Sequence, residues 1–342
     1  MTPVTHDVSI RLLDDKGTWE LFALTHGPYA LFQSWSWYET LRKSKEDVTP
    51  YGVYKGDQLV AVFLAHVVRA KRGSYIHLRH GPIVASKAPS VYQDIATFTK
   101  ALAIEKHCWF VRMSPQLPVG KESDTLRKAV GGVPASIHRM DGEYCWVLDL
   151  DASEETLLSQ MRKATRYEIR KADKDGVKIT GSRDAKYMKE FDVLYKETSG
   201  RHGFVPHEGI TEEFITFSAR NQAMLYLGEF EKKIYAAAII LYYGKQAIYH
   251  HGASIHATAP VSTSLQWQAI KDAKNRGMNV YNFWGIAPED SPKHPWRGIT
   301  VFKKGFGGHI VEHMHAFDIP VSLLYGLTRV VDLIRKYKRG YD

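Results

Sequence analysis

Residues Met224–Ala253, MLYLGEFEKKIYAAAIILYYGKQAIYHHGA, read as three consecutive strands. Met224–Glu229 and Ile234–Tyr243 are dense in apolar and aromatic side chains and flank the polar Glu231-Lys232-Lys233, so they predict a hairpin. Gln246–Ala253, after Gly244-Lys245, predicts a third strand paired onto the second. Downstream, Ser262–Arg276 reads as a helix closed by Gly277, and Val280–Trp284 as the strand after it. The order is strand, turn, strand, strand, helix, strand.

The same order occurs in the first half of the chain. Tyr51–Tyr54 and Leu59–Val68 surround the turn Lys55-Gly56-Asp57, and Ser74–Leu78 stops before Gly81-Pro82. Val91–Glu105 then has Ile95, Phe98 and Leu102 on one helical face, and Trp109–Met113 is a short buried strand ending at Ser-Pro. Only the order recurs, not the residues. Two similar α/β lobes are therefore expected rather than one continuous sheet, with a boundary near Leu150. Beyond it, Asp151–Asp175 reads as one helix, with Ser153 as N-cap and Glu154 and Glu155 in the first turn. A helix after Asp318-Ile319-Pro320 lines up Leu323, Leu327, Val330, Ile334 and Tyr337, a face expected to pack back onto the first lobe. Its polar edge, with Arg329, Arg335, Lys336 and Arg339, also suits a helix lying in a membrane interface.

The 342 residues are 44% hydrophobic and 24% charged, the balance of an ordinary globular chain. Cys108 and Cys145 sit in the apolar contexts HCWF and YCWV, which excludes a disulfide framework and suits a reducing compartment. MTPVTHDVSIRLLDD at the start holds no signal-peptide run, and Ile319–Ile334 is interrupted by Thr328, Arg329 and Asp332. A cytoplasmic location is expected, with peripheral contact at the inner face of the membrane as a further option. The net charge of +9 favours polyanionic partners such as nucleic acid, phosphorylated substrates or anionic lipid.

Three segments could carry chemistry. Thr300–Gly308 reads TVFKKGFGG, and between Ser291 and Val311 there are four Lys or Arg and no carboxylate. A lysine beside glycine-rich backbone can stabilise an oxyanion or grip a phosphate; the plainer alternative is a basic turn whose glycines serve geometry alone. Residues 162–178 hold seven basic side chains against three acidic ones. Arg162, Arg166, Arg170 and Lys174 recur every fourth residue and share one face, while Leu158, Met161, Ile169 and Ala172 point to the core. Such an array suits RNA or phosphate, or is simply solvated. The aromatic stretch Phe32–Tyr38, FQSWSWY, is followed by Arg42 and Lys43, a combination suited to a sugar or nucleotide and equally to a helix anchored by core aromatics.

No metal site is expected at His250, His251 and His256, since adjacent strand residues point to opposite faces and no carboxylate stands at ligand spacing. The chain lacks a G-x-x-x-x-G-K-[ST] loop, a G-x-G-x-x-G and a G-x-S-x-G, so ATPase, dinucleotide and α/β-hydrolase readings lose support.

FQSWSW at 32–37, RKATRYEIRKADKDGV at 162–177, HHGAS at 250–254, YNFWG at 281–285 and VFKKGFGG at 301–308 together resemble the Fem-type peptidyltransferases (FemA, FemB, FemX). The resemblance spans most of the chain and implies an α/β (α+β) fold of two tandem GNAT-like acyltransferase lobes without a coiled-coil insertion. It implies transfer of an amino acid from aminoacyl-tRNA to the stem-peptide amine of a UDP-linked or lipid-linked muropeptide precursor, with no cofactor. Residues 1–150, completed by the helix 319–342, would bind the acceptor, and 151–318 would face the aminoacyl-tRNA. Phe302 and Lys303 match the family's catalytic F-K pair. Arg42 or Lys43, with Trp37, stands nearest to the family's phosphate-gripping position. Arg162, Arg166, Arg170, Lys174 and Lys304 would meet the tRNA. Phe283-Trp284-Gly285 departs from the family's F-G-G, which bears on substrate identity.

An aminoacyl ester is already activated, so this chemistry needs positioning and a stabilised oxyanion more than a nucleophile–His–Asp set. Two other classes remain. An acyl-CoA-dependent GNAT enzyme would show a Q/R-x-x-G-x-G loop, where GASIHATAPVSTS after His251 offers one glycine. A non-catalytic RNA-binding protein accounts for the charge but not for the KKGFGG segment or the duplicated lobes.

Overall fold

The computed structural model describes residues 8–86, 89–202, 206–289, 291 and 293–339. Its strands are β1 Val8–Leu12, β2 Asp47–Lys55, β3 Gln58–Val68, β4 Tyr75–His80, β5 Ile83–Val84, β6 Phe110–Pro115, β7 Val133–Pro134, β8 Tyr144–Asp149, β9 Lys178–Ser182, β10 Ala223–Phe230, β11 Lys233–Tyr243, β12 Gln246–Ser254, β13 Val280–Gly285, β14 His309–Glu312 and β15 Phe317–Pro320. The helices are α1 Lys16–His26, α2 Trp35–Lys43, α3 Pro89–Glu105, α4 Lys121–Ala129, α5 Glu154–Gln160, α6 Lys163–Asp175, α7 Met188–His202, α8 Ile210–Ser218, α9 Val261–Asn275, α10 Arg297–Lys304 and α11 Tyr325–Lys338.

Two compact units result, one spanning Met1–Tyr144, Pro288–Pro295 and Glu312–Asp342, the other Cys145–Ala287 and Trp296–Val311. The first sheet runs β1-β2-β3-β4-β6-β15-β7, with β5 on β3, and the second β9-β10-β11-β12-β13-β8-β14. Position by position the two orders match. In each, an antiparallel meander ends in a parallel pair, β4 with β6 or β12 with β13, joined by a crossover helix, α3 or α9. The strand beyond that pair comes from the end of the chain in the first unit (β15) and from the linker in the second (β8). The chain thus enters the second sheet at Tyr144, before Leu150.

The pattern of residues explains these elements. β11 is buried along Ala236–Tyr243, so it reads as an unbroken apolar run rather than an alternation. Glu231 and Lys232 take positive φ (48° and 62°), the left-handed pair that a tight hairpin requires. Leu265, Ala269, Ile270 and Ala273 of α9 seal the second core against Ala238, Ile240 and Tyr281. In the first unit Ile95, Ala96 and Ala103 of α3 do the same against Phe63, Ile76 and Val111.

Four expectations are corrected. The span Asp151–Asp175 is two helices: Met161 is extended (φ −70°, ψ 154°), and Arg162 N–H donates to Gly305 O (3.0 Å). The two lysines lie at the end of a helix rather than in a turn, the turn following at Gly305-Phe306, so Lys303 and Lys304 diverge by about 100° around α10. α11 packs with the opposite face to the one expected. Tyr325, Thr328 and Asp332 are buried, while Leu323, Leu327, Val330, Ile334 and Tyr337 are exposed. Finally, β12 carries a bulge: Ile239 pairs with His251 and Ile240 with Tyr249, so His250 is the extra residue. The two imidazoles therefore share a side, their ring centroids 4.3 Å apart, and Glu213 of α8 meets both. Both premises used against a metal at these histidines fail.

Candidate active site

In the second unit α10 brings Lys303 inside. Thr300 Oγ1 donates to Trp296 O (2.8 Å) and accepts from Ala287 N–H (2.8 Å), which ties the chain after β13 to the helix. Lys303 is 6% exposed, and its Nζ donates to Gly285 O at 2.6 Å. Burial pushes its pKa down from 10.5 to about 8. The carbonyl it grips follows Trp284, a non-glycine residue at φ 68° whose N–H is fixed by Asn282 Oδ1 (2.8 Å). A left-handed conformation in a bulky residue next to a buried lysine is the kind of backbone cost that clusters at functional sites.

Neighbouring residues frame that lysine. Phe302 and Phe306 meet edge-on at 5.3 Å and pack on the core of this unit. Lys304 Nζ lies 5.2 Å from the centre of the Trp146 ring. Gly305 has a packing reason, since a Cβ there would lie 2.6 Å from the Arg162 guanidinium and the Thr165 hydroxyl. That contact sets the start of α6 against the lysine segment. Arg162, the N-cap of α6, and Arg170 and Lys174 on the helix are exposed. Arg166 is engaged locally instead, its Nη1 donating to Ser159 O (2.9 Å) and Met161 O (2.6 Å) across the α5–α6 break.

The first unit holds a separate cavity of about 120 Å³, lined by Phe32, Trp37, His66, His77, Arg79 and Asp141 among others. Sequence reasoning placed Trp37 here but missed the cation. Arg42 and Lys43 lie exposed at the end of α2, outside the lining, and Arg42 Nη1 donates to Tyr38 Oη (3.3 Å). The cavity's cation is Arg79, with its guanidinium carbon 3.4 Å from the Phe32 ring centre and Nε donating to Asp141 Oδ1 at 2.8 Å. His77 Nε2 lies 3.0 Å from the other Asp141 oxygen. Burial opposes the Asp141 charge, but His77 and Arg79 outweigh it and hold this carboxyl well below its usual range. The signal was the alternation His77-x-Arg79, which puts both on one face of β4; Asp141, 62 residues on from Arg79, gave none. Gln33 of the FQS motif braces the wall, with Nε2 donating to Arg79 O (2.6 Å) and Oε1 accepting from Leu64 N–H (2.8 Å).

A family model for the FemAB family matches residues 16–129, 132–210 and 210–332. The chain belongs to the FemAB family. Aminoacyltransferase FemA of Staphylococcus epidermidis is 30% identical to this FemAB-family chain over 100 residues, 28% of the chain and 22% of that relative. FemA of Staphylococcus aureus is 29% identical over 79 residues, 22% of the chain and 19% of the relative. The aligned stretch thus spans about a fifth of these relatives. A crystal structure of FemX shares the fold at TM-score 0.80 and 16% identity, covering 95% of this chain and 100% of that one. A tandem GNAT protein from the clavulanic acid pathway shares it at TM-score 0.60 and 10% identity, covering 92% of this chain and 99% of that one. These likenesses show two GNAT-like lobes.

Proposed function

We propose that this FemAB-family chain transfers an amino acid from aminoacyl-tRNA to the stem-peptide amine of a UDP-linked or lipid-linked muropeptide precursor. The observation that carries the reading is Lys303, a buried ammonium fixed by Gly285 O. The acceptor nitrogen attacks the ester carbonyl carbon, the carbonyl oxygen takes the negative charge, and the C–O bond to the ribose then breaks. The amine's proton leaves to the released ribose oxygen or to water. An ammonium has three N–H donors, one of them used on Gly285, and Lys303 stabilises the oxyanion. The exposed cations Arg162, at the N-cap of α6, and Arg170 and Lys174 on that helix meet tRNA phosphates together with Lys304; Arg166 serves the fold. The direct test is transfer from charged tRNA to a precursor, read as product mass.

The first unit holds the acceptor's diphosphate at Arg79, with Trp37 and Phe32 as the aromatic surface. Arg79→Ala is expected to raise the acceptor KM about tenfold to a hundredfold, the weight of a charge-assisted hydrogen bond. Charged-tRNA affinity should stay unchanged. Arg42→Ala with Lys43→Ala should leave the acceptor KM near the wild-type value. The opposite ranking would return the phosphate site to the end of α2.

A lipid-linked acceptor would bring the protein to an anionic membrane surface, and α11 suits that contact. Among the described residues no helix is long and apolar enough to cross a membrane. Yet Leu323, Leu327, Val330 and Ile334 are 101%, 58%, 56% and 50% exposed, beside Arg335, Lys336 and Lys338. Leu327→Glu with Ile334→Glu is expected to abolish sedimentation with phosphatidylglycerol vesicles and leave the melting temperature unchanged. Vesicle binding that survives both changes would contradict this placement.

A further inference from the structure

The second unit contains a donor cluster that the transfer chemistry does not use. Glu213 Oε1 lies 3.0 Å from His250 Nε2 and 3.8 Å from His251 Nε2, and one ligand atom from each residue falls within 4.8 Å of the others. Four-coordinate zinc, with bonds near ~2.1 Å to imidazole nitrogen and carboxylate oxygen, sets its ligand atoms roughly 3.3–3.5 Å apart. The two carboxylate–imidazole separations bracket that spacing and the imidazole pair lies within 4.8 Å, so one ion could reach all three donors.

The backbone makes this convergence. On a regular strand His250 and His251 would point to opposite faces, and the bulge opposite Ile239 and Ile240 turns both to the same side. Bulges re-aim side chains at functional positions more often than elsewhere. Glu213 comes from the first turns of the nine-residue α8, 37 residues earlier than His250. All three side chains are 9–11% exposed. An aromatic wall surrounds them: Phe191 and Tyr195 lie 6.5 and 6.2 Å from His251, and Trp284 lies 6.1 Å from His250. The His207 ring, 5.8 Å from His251, is a further imidazole at the rim.

We propose that Glu213, His250 and His251 form a zinc-binding site, with a fourth position open to solvent or to His207. Two imidazoles and one carboxylate suit zinc over magnesium or calcium, which take oxygen donors. Three protein ligands with an open position form the arrangement of zinc sites that bind a further ligand. The cluster also adjoins the lysine site within the same unit, since Trp284, packed on His250, precedes the carbonyl that Lys303 holds.

The test uses the full chain stripped with EDTA and titrated with zinc chloride by calorimetry. One equivalent should bind per chain. His250→Ala, His251→Ala and Glu213→Gln should each weaken binding at least tenfold, and His256→Ala, outside the cluster, should not. Cobalt titration of the unaltered chain supplies a reading that needs no variant to fold: intense visible d–d bands, as four-coordinate cobalt gives, are expected. Absence of stoichiometric zinc uptake, uptake unchanged in all three cluster variants, or only the weak bands of octahedral cobalt would each overturn the assignment.

Discussion

Lys303→Met is expected to lower kcat by about 10²–10³-fold while leaving the fold at least as stable as the wild type. The substitution keeps a stem of similar length and removes the charge. The burial that makes Lys303 useful also costs stability. The unfolded chain holds this proton up to 10.5, whereas the folded chain releases it near 8, so between those values the unfolded state binds more protons and stability rises with pH. Below 8 the full penalty applies, on the order of 3 kcal/mol. Methionine removes that penalty along with the hydrogen bond to Gly285. Melting temperatures at pH 7 and pH 10 should therefore converge in the variant and differ in the wild type. Lys304→Met, about 100° away around α10, should change turnover far less. Wild-type activity should fall as pH rises through about 8, because the ammonium is the donor. Near wild-type turnover in Lys303→Met would remove the lysine from the chemistry, and sensitivity at Lys304 alone would shift the role by one residue.

Asp318→Ala is expected to cost about 3–5 kcal/mol of stability, the penalty for removing one partner of a buried ion pair. Arg112 and Asp318 are 2% and 0% exposed and pair through two hydrogen bonds, Nε to Oδ1 at 2.7 Å and Nη2 to Oδ2 at 2.8 Å. Tyr325 Oη donates to Asp318 Oδ2 (3.0 Å), and Asp332 reaches toward both Arg112 (3.8 Å) and Arg72 (3.3 Å). Burial works against the Arg112 charge, but Asp318 more than restores it, so its pKa lies above the ordinary value. Alanine at 318 strands that guanidinium in the core of the first unit. Urea unfolding at neutral pH reads the loss; a change under about 1 kcal/mol would mean the network contributes little to joining β6, β15 and α11.

The strand order was legible because it is written locally. Runs such as Ile234–Tyr243, punctuated by Glu231-Lys232-Lys233 and Gly244, need no tertiary information to be read. The family was legible for a related reason: short motifs kept their order along the chain. What was not legible depends on residues far apart. The outward face of α11 follows from Asp332 and Tyr325 being drawn inward by Arg72, Arg112 and Asp318, so ion pairs override the hydrophobic stripe that periodicity picks out. The bulge at His250 arises from pairing between β11 and β12, and Glu213 arrives from helix α8, 37 residues earlier. Arg79 went unnoticed because Asp141, which orients it, lies 62 residues further along the chain. Arg166 belonged to the expected tRNA array by spacing alone, and the break after Gln160 engaged it locally.

Incubating the full chain with a mixture of charged tRNAs and UDP-linked or lipid-linked muropeptide, then measuring the mass of the muropeptide, decides whether the chain transfers amino acids from tRNA. A gain of one or more aminoacyl residues on the stem-peptide amine is expected, abolished by prior deacylation of the tRNA and nearly absent with Lys303→Met. An unmodified muropeptide across all charged tRNAs, or a product formed from acyl-CoA instead, would contradict it.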